Sequence, residues 1–213
     1  MKNIFYHPNI GSNYFKTGFN GLKLLILGES HYCGEGCEDC GSQHYKECFS
    51  FTQNVMEEYF SYKNGEVENK RWMNTYTKFA NAVFGYKLTN EELLAFWESV
   101  IFYNYVQFST DGPRIAPRYE QFKNSEEAFL ELLSIYKPDI VIGWGMRLQG
   151  NMPTSGRWGN ENLLDNKNEN FYYLRIDNIE IPIYFTYHPS SSAFNKESTA
   201  YIKEVFKKVN MNK

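Results

Sequence analysis

Two short polar stretches each follow an apolar run in this chain. Gly28-Glu29-Ser30-His31-Tyr32 comes after Leu24-Leu25-Ile26-Leu27, and His188-Pro189-Ser190-Ser191 comes after Ile183-Tyr184-Phe185-Thr186-Tyr187. An apolar run that breaks into small and polar residues delivers side chains to the carboxyl edge of a parallel sheet, where α/β proteins bind ligands. The residue types define the chemistry on offer. Gly28 permits close backbone approach, Glu29 brings a negative charge, and the Ser30 hydroxyl can hold a water. A neutral imidazole at His188 donates a hydrogen bond at physiological pH. Pro189 stiffens the turn, and Ser190 and Ser191 offer hydroxyl and backbone N–H donors to a phosphate.

A third cluster is built of sulfur. All four cysteines fall in one window, as Cys33-x3-Cys37-x2-Cys40-x7-Cys48, with His31 and His44 beside them. In a reducing compartment such clustering favours a metal over disulfides, and a tetrahedral zinc needs four such donors. The alternative is a Gly-rich loop whose thiols bind nothing. The Cys-x3-Cys-x2-Cys portion also resembles the iron–sulfur triad of radical SAM enzymes. It departs from that pattern at Asp39, where an aromatic residue is usual, and the chain lacks the strand–helix repeats of a barrel.

The two polar stretches together resemble the uracil-DNA glycosylase superfamily. Its members carry a Gly-x-x-Pro-Tyr/Gly type motif after the first strand and a His-Pro-Ser motif after the last. Two further landmarks fall in the expected order: residues 100–107, parallel to the strand whose terminal Asn reads the base, and residues 140–150, which run into Trp144-Gly145. The resemblance covers about residues 22–193. It implies a three-layer α/β/α sandwich with a central, mostly parallel, four-stranded sheet. It also implies a hydrolase that cleaves the N-glycosidic bond of uracil or another deaminated base, in DNA repair.

In that family's terms His188 stabilises the leaving base. Asn104 reads it, because an amide can match O4 and N3–H of uracil at once. Phe49 or Phe51 stacks the flipped base, and Tyr32 guards the pocket against a thymine methyl. Three positions depart from the pattern. Ser30 stands where some members have an Asp that orients water, so Glu29 or Ser30 handles the water here. His31 replaces the Pro, as an added catalytic group or as a ligand of the cysteine loop. Ser192 replaces the Leu that wedges into the duplex, and only Phe194 lies near enough to take over. Losing carboxylate and wedge favours a second reading, a non-catalytic module for a nucleobase, nucleotide or nucleic-acid end. The catalysis needs no cofactor, so a zinc on Cys33, Cys37, Cys40 and Cys48 is structural; an iron–sulfur cluster is the lesser alternative.

Bulk properties narrow the setting. A chain of 213 residues suits one domain over 1–213 with the Cys-rich loop at 33–48, and its 17 Tyr, 17 Phe and 4 Trp predict an aromatic core. A net charge of -3 gives no global pull toward nucleic acid, leaving any DNA contact to a local patch such as Arg114, Arg118, Arg147 and Arg157, with Trp158 for stacking. No apolar stretch is long enough to span a membrane, and Met1-Lys2-Asn3-Ile4 shows no signal-peptide pattern, so the expected compartment is the cytoplasm.

The elements that must carry these residues follow from periodicity. Residues 22–27 and 140–145 read as buried strands, apolar without alternation. Residues 51–60 and 72–84 read as helices. Thr89-Asn90-Glu91-Glu92 forms a capping box that opens a helix with Leu93, Leu94, Trp97 and Ile101 on one face, and 101–106 is either its end or a strand. Asn124-x-x-Glu127 starts another helix, facing inward with Phe129, Leu132, Leu133 and Tyr136. Residues 111–118 and 160–170 are loops. Asp177-Asn178 joins 172–176 and 179–185 as a hairpin, with Pro182 pointing to a sheet edge or a local irregularity. A last helix buries Tyr201, Ile202, Val205, Phe206 and Val209. There is no internal repeat.

Overall fold

A computed structural model describes residues 2–33, 46–110, 112, 114–152, 171–176 and 179–211. Its strands are β1 (Asn9–Ile10), β2 (Leu24–Gly28), β3 (His31–Tyr32), β4 (Ile101–Asn104), β5 (Ser109–Thr110), β6 (Ile140–Trp144), β7 (Phe171–Ile176) and β8 (Ile179–Thr186). Its helices are α1 (Phe51–Lys63), α2 (Met73–Phe84), α3 (Asn90–Glu98), α4 (Tyr119–Asn124), α5 (Glu126–Tyr136), α6 (Met146–Gly150) and α7 (Lys196–Met211), with a 3₁₀ turn at Lys46–Ser50 before α1.

The two unbroken apolar runs become β2 and β6, every residue of which is buried. They lie side by side at the middle of the sheet, where both faces must be covered. Each of Leu24 to Leu27 contributes about 1.5–3 kcal/mol by leaving water. The sheet order is β1-β4-β2-β6-β8-β7. The inner four strands run parallel, and β1 and β7 close the edges antiparallel. The sheet therefore has six strands rather than the expected four. A two-residue β1 is too short to show any period, and β7 joins through the hairpin.

Apolar side chains fill both faces. On one face Met56, Phe79, Trp97 and Ile202 pack over Leu24, Ile26 and Ile142. On the other Phe129, Leu132 and Leu133 pack over Leu25, Leu27 and Val141. This is a mixed α/β protein with a mostly parallel central sheet and helices on both sides. Among the described residues no helix is long and apolar enough to cross a membrane.

Several local expectations shift. The capping box forms as read: Glu92 N–H donates to Thr89 Oγ1 at 3.2 Å, and Thr89 N–H donates to Glu92 Oε2 at 2.7 Å. That helix stops at Glu98, and Ile101 opens β4 instead, drawn out of helical geometry by pairing with Leu25 of β2. Asn124 ends α4 rather than starting α5, and Ser125 stands between them. Pro182 is not on an edge strand. It lies opposite Tyr173, one residue before β8 begins to pair with β6 at Ile183, so its missing N–H costs the parallel ladder nothing. Tyr201 is exposed, while Ile202 and Val205 are buried. Asp177-Asn178, residues 160–170 and the Val209 side chain lie outside the described residues.

Candidate functional site

The strand registers place one residue from each inner strand in a row along the carboxyl edge. Gly28 is opposite Asn104, and Trp144 is opposite Thr186; Leu27 opposite Gly143 brings Gly28 alongside Trp144. The row reads Asn104, Gly28, Trp144, Thr186, with His188 two residues beyond its last member. Both polar stretches singled out in the sequence thus meet at one sheet edge.

His188 is oriented by its own turn. Ser191 N–H donates to the His188 carbonyl at 2.8 Å around Pro189. Ser190 N–H donates to His188 Nδ1 at 3.2 Å, and Ser190 Oγ lies 2.8 Å from the same atom. A backbone N–H can only donate, so Nδ1 is the acceptor and the proton of the neutral ring sits on Nε2. Burial lowers the His188 pKa; the Glu29 charge opposes this, and the Arg147 charge adds to it. The ring is therefore a neutral donor through Nε2. It stands edge-on to Trp144, with ring centroids 5.9 Å apart.

Glu29 does not stand alone. Arg147, on α6, donates Nε–H to Glu29 Oε2 at 2.7 Å and Nη2–H to Glu29 Oε1, a bidentate grip on a carboxylate only 12 % exposed. This contact also holds the Arg147 pKa above its ordinary value. Arg147, one of four cations that could form a local patch for a phosphate backbone, has its fork on Glu29. Ser30 is half-buried in the turn between β2 and β3.

Asn104 is 6 % exposed. A Cβ built on Gly28 would overlap Asn104 Oδ1, so a glycine there is what lets the amide lie across β2. Its Nδ2 is 3.2 Å from Nδ1 and 3.1 Å from Nε2 of His31. His31 Nε2 is also 2.8 Å from Thr52 Oγ1. The His31 ring is enclosed, and burial holds its pKa down to about 3. It lies 4.4 Å from the Phe51 ring, tilted by 41°, and 4.9 Å edge-on from Tyr6. Both ring nitrogens face into the protein.

Of the two stacking candidates, only Phe51 reaches this cluster. Phe49 is exposed and pairs with His7, stacked at 5.8 Å, and with Phe5. Tyr32 is 42 % exposed, near enough to Tyr76 to add to the upward pKa shift that burial imposes on that phenol. Ser190 is exposed and Ser191 half-buried, and the Ser191 Oγ accepts from Ala193 N–H at 3.2 Å. Ser192 is exposed and Phe194 is buried in the core, so neither forms an apolar wedge.

Cys33 is buried, and its thiol donates to Ser109 Oγ at 3.1 Å. Among the described residues no three His, Cys, Asp or Glu groups gather as metal ligands. Cys37, Cys40 and His44 lie outside the described residues, as do Arg157 and Trp158. Sequence reasoning missed Tyr6 and Thr52 as parts of the site. Their positions carry no local signal, because each arrives from a different element. Trp144 Nε1 and Thr186 Oγ1 are buried with no hydrogen-bond partner among the described residues, which is uncommon for interior polar groups.

No protein-family model matches the chain, and no curated protein matches it.

Proposed function

We propose that this chain is an N-glycosidase of the uracil-DNA glycosylase type, hydrolysing the bond between a deaminated base and its sugar. One observation carries the reading: a neutral His188 with its proton on Nε2 follows β8 at the same sheet edge as the Asn104 amide on β4, three strand spacings away. As the glycosidic bond breaks, the base leaves with negative charge and the sugar gains oxocarbenium character. His188 Nε2–H donates to the departing base, a contact that strengthens as charge builds. Asn104 holds its far edge, and Phe51 stacks on it. Glu29, fixed by Arg147, faces the developing positive charge, while Ser30 holds the attacking water. Ser190 and Ser191 bind the flanking phosphate. No step takes a cofactor, and a zinc on Cys33, Cys37, Cys40 and Cys48 would order the 33–48 loop only.

The resemblance to the superfamily supports this reading through the order of the parallel strands. The strand carrying the Gly motif lies between the Asn strand and the Trp-Gly strand, and the His-Pro-Ser strand comes last. The test is alkaline cleavage of single-stranded and duplex oligonucleotides carrying uracil, hypoxanthine or xanthine after incubation with the protein. Strand scission is expected, and His188→Ala should cut its rate by about 10²–10³-fold, the usual loss for one preorganised donor. Intact strands with every substrate would sink the reading.

A second reading, a non-catalytic binder of a nucleobase or nucleotide, is favoured by the Glu29–Arg147 pair, because the carboxylate next to Ser30 is already balanced by a guanidinium. It predicts ligand-dependent thermal stabilisation that survives Ser30→Ala, with no turnover.

A further inference from the structure

The His31 side chain sits where the proposed ligand should. It is a planar, two-nitrogen aromatic ring. Its neighbours are those a base would need: the Asn104 amide on its nitrogens, the Thr52 hydroxyl at 2.8 Å, Phe51 against its plane and Tyr6 at its edge. With its proton on Nε2, the ring can donate to Thr52 Oγ1 and accept from Asn104 Nδ2 at Nδ1. Only 4 % of the residue is exposed.

The backbone under this ring is held on one side by a short parallel ladder. Within it β3 pairs with β5, His31 opposite Ser109 and Tyr32 opposite Thr110. Thr110 Oγ1 donates to the His31 carbonyl at 3.3 Å, and Cys33 N–H donates to the Thr110 carbonyl at 3.0 Å. Just upstream, Tyr105 N–H and Val106 N–H donate to the carbonyls of Gly28 and Glu29. The main chain is pinned, so the ring leaves only by rotating about its own side-chain torsions.

We propose that the His31 imidazole is a built-in occupant of the base pocket, held on Asn104, Thr52 and Phe51 in the place of a planar nitrogen heterocycle, and that ligands bind by displacing it. The inference rests on Asn104 being the base-contacting amide, and it is independent of turnover. Swinging the ring out opens a space of one heterocycle, already lined by a donor, a hydroxyl and an aromatic face. Apparent affinity in the native protein is then reduced by the fraction of molecules with the ring displaced.

The test is cavity complementation, with free imidazole and free uracil as probes. His31→Ala removes the ring and leaves its partners in place; His31→Ser is a second variant that keeps a hydroxyl near Asn104. Thermal melts are read with and without each probe. In at least one variant, imidazole at about 100 times its Kd should raise Tm by about 5 °C or more, with no change in the native protein. Uracil should stabilise the variant at tenfold or more lower concentration than the native protein. Adding Asn104→Ala should abolish both effects. Absence of any probe-dependent shift in both variants, or an equal shift in the native protein, overturns the proposal. Rescue with no base excision by any form would sink the glycosidase reading and leave this one standing; excision without rescue would do the reverse.

Discussion

At the scale of single residues, the geometry around His188 makes its titration a sensitive readout. Its pKa is lowered by burial, then adjusted upward by Glu29 and downward by Arg147. The folded chain therefore binds fewer protons at this site than the unfolded one. Stability falls as pH drops below the ordinary histidine value of about 6.5. Arg147→Ala removes the opposing positive charge and leaves Glu29 unpaired, so the His188 pKa should rise. Ring titration by NMR, and the acid limb of any excision profile, should both move to higher pH. An unmoved titration would mean that Glu29 and Arg147 do not reach His188 electrostatically. Thr186 gives a second prediction. Its buried Oγ1 has no partner among the described residues, and Val has nearly the same shape, so Thr186→Val should leave Tm unchanged or raise it slightly. A loss of several degrees would reveal a hydrogen bond to that hydroxyl.

At the scale of elements, strands and caps make different demands. Gly28 sits between β4 and β6 in a fully buried strand, and Asn104 Oδ1 occupies the space a methyl would need. Gly28→Ala should cost about 1–3 kcal/mol as overpacking against a pinned backbone. It should also weaken uracil binding, because the amide must turn away; denaturant melts and probe-dependent Tm shifts read the two effects separately. The Thr89 cap is a contrast. Thr89→Ala removes one side of the capping box on an exposed helix start, at a cost of about 1 kcal/mol and about 2–4 °C in Tm, with no effect on the site. Local cap chemistry made this helix start legible in the chain. Its end was not, because Ile101 fits a helical face equally well until β2 claims it as a strand residue.

At the scale of the whole molecule, charge decides how nucleic acid is approached. A net charge of -3 gives no global pull toward a phosphate backbone, and the Arg147 fork is engaged by Glu29. If single-stranded DNA binds, the contacts are the Ser190 and Ser191 donors with one or two arginines such as Arg114 and Arg118. Affinity should then fall by less than about tenfold between 50 and 200 mM salt, the loss expected for about two phosphate contacts. A steeper fall would mean that further lysines or arginines meet the phosphates. The buried Phe194 and exposed Ser192 add that duplex invasion by a wedge at this turn is not available, so single-stranded substrates should be preferred. The ratio of excision rates on the two forms measures this.

The amino-acid sequence by itself determined β2 and β6 as central buried strands, the α3 cap, the β7–β8 pairing, and the delivery of Gly28 and His188 to one sheet edge. Each of these follows from apolar runs, cap residues or turn residues read over a few positions. Tertiary structure alone decided that Phe51 rather than Phe49 meets the site, that Arg147 reaches Glu29 across 118 positions, and that His31 reaches Asn104 across 73. It also decided that β8 is interior despite Pro182, and that Tyr201 faces out. The physical reason is the same in every case. Periodicity tells a residue which side of its own element is apolar, whereas the group it touches depends on which strands lie side by side, and that is a property of the assembled sheet.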